Sequence, residues 1–180
     1  MIPNLNTLSD YEVLHFFASF PDLVFKTLLQ RHKKQVYFQC RRILTIHEEA
    51  DDATQNTFVK VWKSLAGFKQ ESEFSTWLYR IAYNESITLL NKQKRQWLEL
   101  DISEQPIEAV TELQLTAEQI ETKLAAALET LPEKQKLVFH YRYFDELSFH
   151  QISEILGTSE GGLKANYHHA VNKIKEQLLN

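Results

Sequence analysis

Six polar and aromatic residues recur at helical spacing between residues 74 and 95, where the rest of the segment is mostly apolar. At about 100° per residue of an α-helix, they fall on one narrow stripe. Such side chains suit a nucleic-acid strand, because rings stack on bases, cations meet phosphates and amides bond to base edges. The alternative is a solvated helix face with one half-buried Trp, since charged helix faces commonly just solvate. The stripe consists of Trp77, Arg80, Asn84, Thr88, Asn91 and Arg95.

A second candidate binding face lies between residues 147 and 178. Ser148 can cap a short helix, Gly157 can end it in the left-handed conformation, and Ser159 can cap the next helix. Two helices joined by a short turn with Gly form a helix-turn-helix, whose second helix enters the DNA major groove. Its buried side would hold Leu163, Tyr167, Ala170 and Ile174, and its outward side Gly161, Ala165, His168, His169 and Asn172, flanked by Lys164 and Asn166.

Composition and periodicity predict an all-α protein around these faces. Apolar residues make up 43% of the 180 residues, enough for packed cores, whereas only 4 Gly and 4 Pro argue against a turn-rich β protein. No alternating strand pattern occurs. The predicted helices are Leu8–Phe17, Phe25–Leu44, Glu48–Leu65, Phe74–Arg95 and Thr116–Thr130, then one that restarts with Pro132 in its first turn, then the helix-turn-helix.

Charge divides the chain into three parts. Residues 1–98 carry a net charge of +3, residues 99–130 carry −7, and residues 131–180 carry none. The acidic middle begins with a weakly periodic, Pro-containing stretch. This pattern predicts two small helical domains, an N-terminal bundle over 1–98 and a helix-turn-helix domain over 116–180, joined by an acidic linker over 99–115.

Cysteine usage and hydropathy bear on the compartment. Cys40 is the only cysteine, which excludes an internal disulfide and fits a reducing environment. The first residues lack a basic segment followed by an apolar run, and no stretch approaches the roughly 20 apolar residues of a membrane span. We therefore expect a cytoplasmic protein without membrane insertion.

Four stretches in order resemble those of the extracytoplasmic-function (ECF) sigma factors of RNA polymerase, in the sigma-70 family. Together they span nearly all of the chain. They are FKTLLQRHKKQVYFQCRRIL, EEADDATQNTFVKVWKSL, FKQESEFSTWLYRIAYN and LPEKQKLVFHYRYFDELSFHQISEILGTSEGGLKANYHHA. The resemblance implies that 1–98 is a region 2 domain, that 116–180 is a region 4 domain, and that the protein directs polymerase to promoters and promotes strand opening.

The resemblance also implies partners and contact residues. The partners are core RNA polymerase, through the clamp of its β′ subunit and its β flap, promoter DNA, and an anti-sigma factor. The implied polymerase contacts are Asp51, Asp52, Gln55, Asn56, Phe58, Val59 and Trp62. The implied contacts to the −10 element are Phe68, Lys69, Phe74, Trp77, Arg80, Asn84, Thr88, Lys92, Lys94 and Arg95. The implied contacts to the −35 element are Ser159, Gly161, Gly162, Lys164, Ala165, Asn166, His168 and His169.

Several residues depart from the family pattern. Asn56 stands where Glu is usual, and Gly162, Ala165 and Asn166 stand where Thr, Ser and Arg are usual. Fewer cations on the recognition helix predict fewer phosphate contacts and a shallower salt dependence. The resemblance further implies that the acidic linker threads toward the RNA exit path of the polymerase, whereas composition alone favours a solubilising spacer.

Two other functions remain as alternatives at this point. One is a helix-turn-helix regulator that binds duplex DNA but not polymerase, and the other is a helical metal-dependent hydrolase. The adjacent residues His168 and His169 splay by about 100° on a helix, so they cannot easily face one ion. No nucleophile turn or repeated Glu-x-x-His pair occurs. We expect no enzymatic activity, no metal and no cofactor.

Overall fold

The computed structural model describes the backbone of residues 4–99 and 118–179, and the side chains of residues 4–92 and 124–178. The chain divides into two compact units, Met1–Pro106 and Ile107–Asn180. Within the described residues every regular element is helical and no strand occurs, so the predicted all-α class is confirmed. The predicted linker lies outside the described residues, except that Glu99 ends the fourth helix.

The described part of unit 1, residues 4–99, contains four α-helices. They are α1 (Asp10–His15), α2 (Pro21–Arg41), α3 (His47–Ser64) and α4 (Phe74–Glu99). Single 3₁₀ turns precede α1 at Leu5–Thr7 and follow α3 at Leu65–Gly67. Helix α2 begins four residues before its predicted start, because Pro21 occupies the first turn, where its missing N–H is not needed.

The core of unit 1 lies where α2, α3 and α4 pack on one another. Leu28, Val36, Val61, Leu78 and Ala82 are buried there. Where one helix supplies two of them, these lie four or eight residues apart, which is the spacing of one apolar face. The core therefore sets which side of α4 faces solvent.

Helix α1 is held to α2 by a polar contact. Asp10 accepts hydrogen bonds from Arg31 Nη1 at 2.7 Å and pairs with His32 Nε2 at 2.5 Å, while Arg31 Nη2 also donates to the Leu5 carbonyl at 2.6 Å. Ser9 and Glu12 form a capping box at the start of α1. Burial by itself raises the pKa of Asp10, but the hydrogen bonds from His32 and Arg31 outweigh it and hold this pKa below its usual value.

This lowered pKa predicts an acid-sensitive contribution to stability. At pH values above the unfolded-state pKa of about 3.9, ionised Asp10 should increase the free energy of unfolding. This contribution should disappear as the pH falls through the lower folded-state pKa. Urea unfolding of the wild type and of Asp10→Asn, followed from pH 6 down to pH 3, measures it. We expect the two free energies to converge on acidification. Parallel curves would mean that the ionised Asp10 contributes nothing.

Residues 118–179, the described part of unit 2, also contain four α-helices. They are α5 (Glu118–Glu129), α6 (Glu133–Phe139), α7 (Phe149–Leu156) and α8 (Glu160–Leu179), with a π-helical turn at His140–Phe144 after α6. Pro132 is the N-cap of α6 and not a residue of its first turn, one position earlier than predicted. One cluster of its core consists of Ala127, Leu128, Leu131, Phe139, Ala170 and Ile174, where α5, α6 and α8 meet.

Local capping defines the turn between α7 and α8. Ser148 and Gln151 form a capping box, which the sequence predicted only as a Ser148 cap. Gly157 has a φ of 64° and donates its N–H to the Ser153 carbonyl at 2.9 Å. Gly162 N–H donates to Ser159 Oγ at 3.4 Å, so Ser159 caps α8 as predicted. The predicted helix-turn-helix is therefore confirmed in its elements and in its caps.

The left-handed conformation of Gly157 predicts a measurable cost for any side chain there. Gly157→Ala should lower the free energy of unfolding by about 1–2 kcal/mol, because Cβ crowds the following carbonyl at positive φ. Gly161→Ala is the matched control, since it lies in the first turn of α8 and an added Cβ would meet no atom within 4 Å. Urea unfolding monitored by helical circular dichroism compares them. Equal urea midpoints for Gly157→Ala and Gly161→Ala would show that a side chain at position 157 causes no backbone strain.

Candidate functional site

The polar stripe of α4 faces solvent. Arg80, Asn84, Thr88 and Asn91 are exposed and Trp77 is half-buried, whereas Leu78 and Ala82 are fully buried on the opposite side. The orientation follows from periodicity, because α4 can bury only one face against α2 and α3. Lys92 is exposed at the end of the described side chains, and the side chains of Lys94 and Arg95 lie outside them.

Three aromatic rings, including that of Trp77 itself, cluster at the start of the stripe. Phe68, from the turn after α3, lies 4.7 Å from Trp77 between ring centroids, and Phe74 lies 5.8 Å from Trp77. Phe74 is only 5% exposed, so the expectation that it contacts DNA directly needs correction. Its ring packs beside that of Trp77, tilted by 45° to it. Phe68 is half-buried and Lys69 is exposed beside it, so both can still face a nucleic-acid strand.

An apolar groove lies between α2 and α3 in the same unit. Trp62 and Val59 of α3 are 40% and 50% exposed there, and the Phe25 ring of α2 lies 5.0 Å from Trp62 in a T-shaped contact. The groove has a volume of about 640 Å³. Exposed aromatic and branched side chains in a groove are typical of the anchors of a protein interface. The residues that line it include Phe25, Leu29, Lys33, Gln55, Phe58, Val59 and Trp62.

Phe58 forms the floor of this groove and does not project from it. Its side chain is 7% exposed, and its ring lies 6.5 Å from that of Phe25. Phe58 is a buried residue of the groove floor because its position on α3 turns the ring toward α2, and its contact with polymerase stays a prediction. Two further residues of the groove, Phe25 and Leu29, are not among the contacts predicted from the sequence. Their only signal is that they recur at i and i+4 beside the buried positions Val24 and Leu28.

Acidic and amide side chains follow the groove along α3. Asp52, Gln55 and Asn56 are exposed, while Asp51 is half-buried and its Oδ2 lies 3.4 Å from His47 Nε2. Burial raises the pKa of Glu49, and the nearby charges of Asp52 and Glu48 raise it further. The start of α3 thus concentrates negative charge beside an apolar groove, which favours a partner with basic and apolar side chains.

An ion pair joins α3, which lines the groove, to α4, which carries the stripe. Lys60 of α3 pairs with Glu85 of α4, the residue that follows Asn84. Glu85 is only 7% exposed, so removing Lys60 would leave a nearly buried charge without this partner. No local sequence pattern predicts this pair, because its two residues lie 25 positions apart.

In unit 2, the second helix of the helix-turn-helix presents a polar face. Ser159, Gly161, Lys164 and Ala165 are exposed, and Gly162 and Asn166 are half-buried. His168 and His169 are also exposed, and Asn172 Nδ2 lies 3.0 Å from His168 Nε2. The opposite face is anchored in the core by Leu163, Ala170 and Ile174, while Tyr167 stacks on Phe139 at 5.9 Å.

Comparison with known proteins identifies both units. The family model described as Sigma-70 region 2 matches residues 28–96, and the model described as Sigma-70, region 4, matches residues 121–174. The sequence is 30% identical over 170 residues to the ECF RNA polymerase sigma factor SigW of Bacillus subtilis (strain 168). That alignment covers 86% of this chain and 88% of SigW.

The chain belongs to the ECF sigma factors of the sigma-70 family.

Two solved structures share the fold of this sigma factor. The sigma factor RpoE of Bartonella quintana, in complex with the anti-sigma factor NepR, superposes with a TM-score of 0.68 at 23% identity, covering 86% of this chain and 96% of RpoE. CnrH, in complex with the cytosolic domain of CnrY, superposes with a TM-score of 0.66 at 22% identity, covering 94% of this chain and 96% of CnrH. At these identities the likeness concerns the fold.

Metal-ligand clusters and membrane-spanning helices are both absent from the described residues. No group of three His, Cys, Asp or Glu side chains there is arranged to hold a metal ion. None of the helices within 4–99 and 118–179 is both long enough and apolar enough to cross a membrane.

Proposed function

We propose that this sigma factor binds core RNA polymerase, directs it to promoters and opens the strands at the downstream element, without catalysing covalent chemistry itself. The observation that carries the proposal is the solvent-facing stripe of Trp77, Arg80 and Asn84 on α4, in the unit that matches region 2. An indole, a guanidinium and an amide on one exposed face can stack on and hydrogen-bond to unpaired bases. The helix-turn-helix of unit 2 would hold the upstream element as a duplex.

Each proposed partner has a matching surface. Core polymerase would occupy the α2–α3 groove with Val59 and Trp62 as anchors, beside the acids Asp51 and Asp52. The −10 element would lie along the stripe, and the −35 element along the polar face of α8. By analogy with RpoE, which was solved with the anti-sigma factor NepR, an anti-sigma factor would hold this protein inactive. Because its proposed partners are core polymerase and promoter DNA, the protein would act in the cytoplasm.

Reconstituted transcription tests this function. Purified protein and core RNA polymerase are incubated with a pool of duplexes randomised at the upstream and downstream elements, and run-off transcripts are sequenced. We expect defined transcripts only when both proteins are present. If the chain bound duplex DNA but neither co-eluted with core polymerase in gel filtration nor supported transcription, it would be a helix-turn-helix regulator instead.

A further inference from the structure

The polar face of α8 begins with a carboxylate. Glu160 is the first residue of the helix, and no other acid occurs until Glu176. Its side chain is 42% exposed. The N-terminal residues of the second helix in a helix-turn-helix are those that reach base edges in the major groove. An acid at this position therefore lies where DNA bases would be read, although DNA as a whole repels negative charge.

Two side chains, His150 and Lys164, lie beside the Glu160 carboxylate. His150 Nδ1, from the first turn of α7, lies 3.4 Å from Glu160 Oε1, and Lys164 Nζ lies 3.5 Å from Glu160 Oε2. The Lys164 ammonium also lies 5.8 Å from the centre of the Phe149 ring. Because the Lys164 ammonium offsets the carboxylate, repulsion from the DNA phosphates is reduced and Glu160 can approach a groove.

The neighbouring residues leave room for that approach. Gly161 is exposed, a Cβ added there would meet no atom within 4 Å, and Ala165 one turn later is small and exposed. Small residues on the central line of the helix let its backbone lie close to the base pairs. Glu160, Lys164 and His168 then follow the edge of the same face at i, i+4 and i+8, within reach of the bases.

The chemistry of a carboxylate restricts what it can read. An ionised carboxylate only accepts hydrogen bonds. In the major groove, cytosine presents the N4 amino group as its donor, whereas guanine presents N7 and O6 and thymine presents O4, all of them acceptors. Adenine also presents an amino group, N6, but the acceptor N7 beside it repels the second carboxylate oxygen. A Glu side chain therefore favours cytosine over adenine and is repelled by guanine and thymine at the same position.

We propose that Glu160 is a specificity-determining residue, which accepts a hydrogen bond from the N4 amino group of one cytosine in the −35 element. The proposal rests on the proposed function and deepens it. In this role Lys164 and His150 orient the carboxylate, and the hydrogen bond to cytosine makes one position of the element selective. A Glu that only stabilised the helix, through the interaction of its negative charge with the helix N-terminus, would not discriminate between bases.

Selection from a randomised −35 element tests the role of Glu160. Holoenzyme is assembled from core polymerase and either the wild type, Glu160→Gln or Glu160→Asp, and bound promoters are sequenced. Glu176→Gln is the matched control, because it removes the same charge from α8 about 24 Å farther along the helix. We expect the wild type and the control to prefer cytosine at one position, and Glu160→Gln to lose this preference by about 5-fold to 100-fold there alone. Glu160→Asp, whose carboxylate reaches less far, should lose it in part.

Two outcomes would contradict the proposal, and they are distinguishable. If Glu160→Gln selected the same sequences as the wild type, with affinity changed equally for all of them, Glu160 would not read a base. If wild-type holoenzyme selected no upstream sequence at all, the proposed promoter recognition would itself be wrong.

Discussion

Trp77→Ala should reduce promoter opening by about tenfold while binding to core polymerase stays unchanged. Stacking of one base on an aromatic side chain contributes about 1–3 kcal/mol, and tenfold corresponds to about 1.4 kcal/mol. Trp77 is the only stripe residue with a ring, and Phe68 and Phe74 hold it in place. Permanganate reactivity of unpaired thymines in the −10 element measures opening. Binding should persist because the α2–α3 groove does not include Trp77.

Two companion variants separate stacking from folding. Trp77→Phe keeps a ring and should retain most of the opening. Asn84→Ala alters an exposed side chain, so it should leave the unfolding midpoint unchanged and still reduce opening through the lost amide. If Trp77→Ala and Asn84→Ala both opened promoters as well as the wild type, the stripe would be an ordinary solvated helix face.

Trp62→Ala should weaken binding to core polymerase by about 30-fold or more. Truncating a central aromatic anchor of an interface typically costs at least about 2 kcal/mol, which corresponds to that factor in Kd. Trp62 fits this description because its ring is 40% exposed in an apolar groove and is oriented by Phe25 at 5.0 Å. Fluorescence anisotropy of labelled protein titrated with core polymerase gives the Kd.

The next residue provides the control for Trp62. Lys63 is exposed on α3 but does not line the groove, so Lys63→Ala should change the Kd by less than about twofold. Phe58→Ala is a poor probe, because truncating a buried Phe typically costs about 3–5 kcal/mol of stability and would weaken binding indirectly. Wild-type affinity for Trp62→Ala would show that the groove is not the polymerase site.

Local signals explain which predictions the structure confirmed. The stripe on α4 and the anchored face of α8 follow from helical periodicity, which depends only on residues three and four apart. The turn between α7 and α8 follows from Ser148, Gly157 and Ser159, whose capping bonds are made within one helical turn. Such interactions are specified by neighbouring residues and can be read before the tertiary fold is known.

The amino-acid sequence by itself therefore determined the helical class, the order of the helices, the outward face of α4 and the helix-turn-helix. Only the tertiary structure decided that Phe58 and Phe74 are buried supports, that Phe25 completes the groove, and that Lys60 pairs with Glu85. The physical reason is that periodicity tells which side of a helix is apolar, but not which residue of another helix lies opposite. That depends on how the helices cross, and the crossing is set by the packing of side chains distant in sequence.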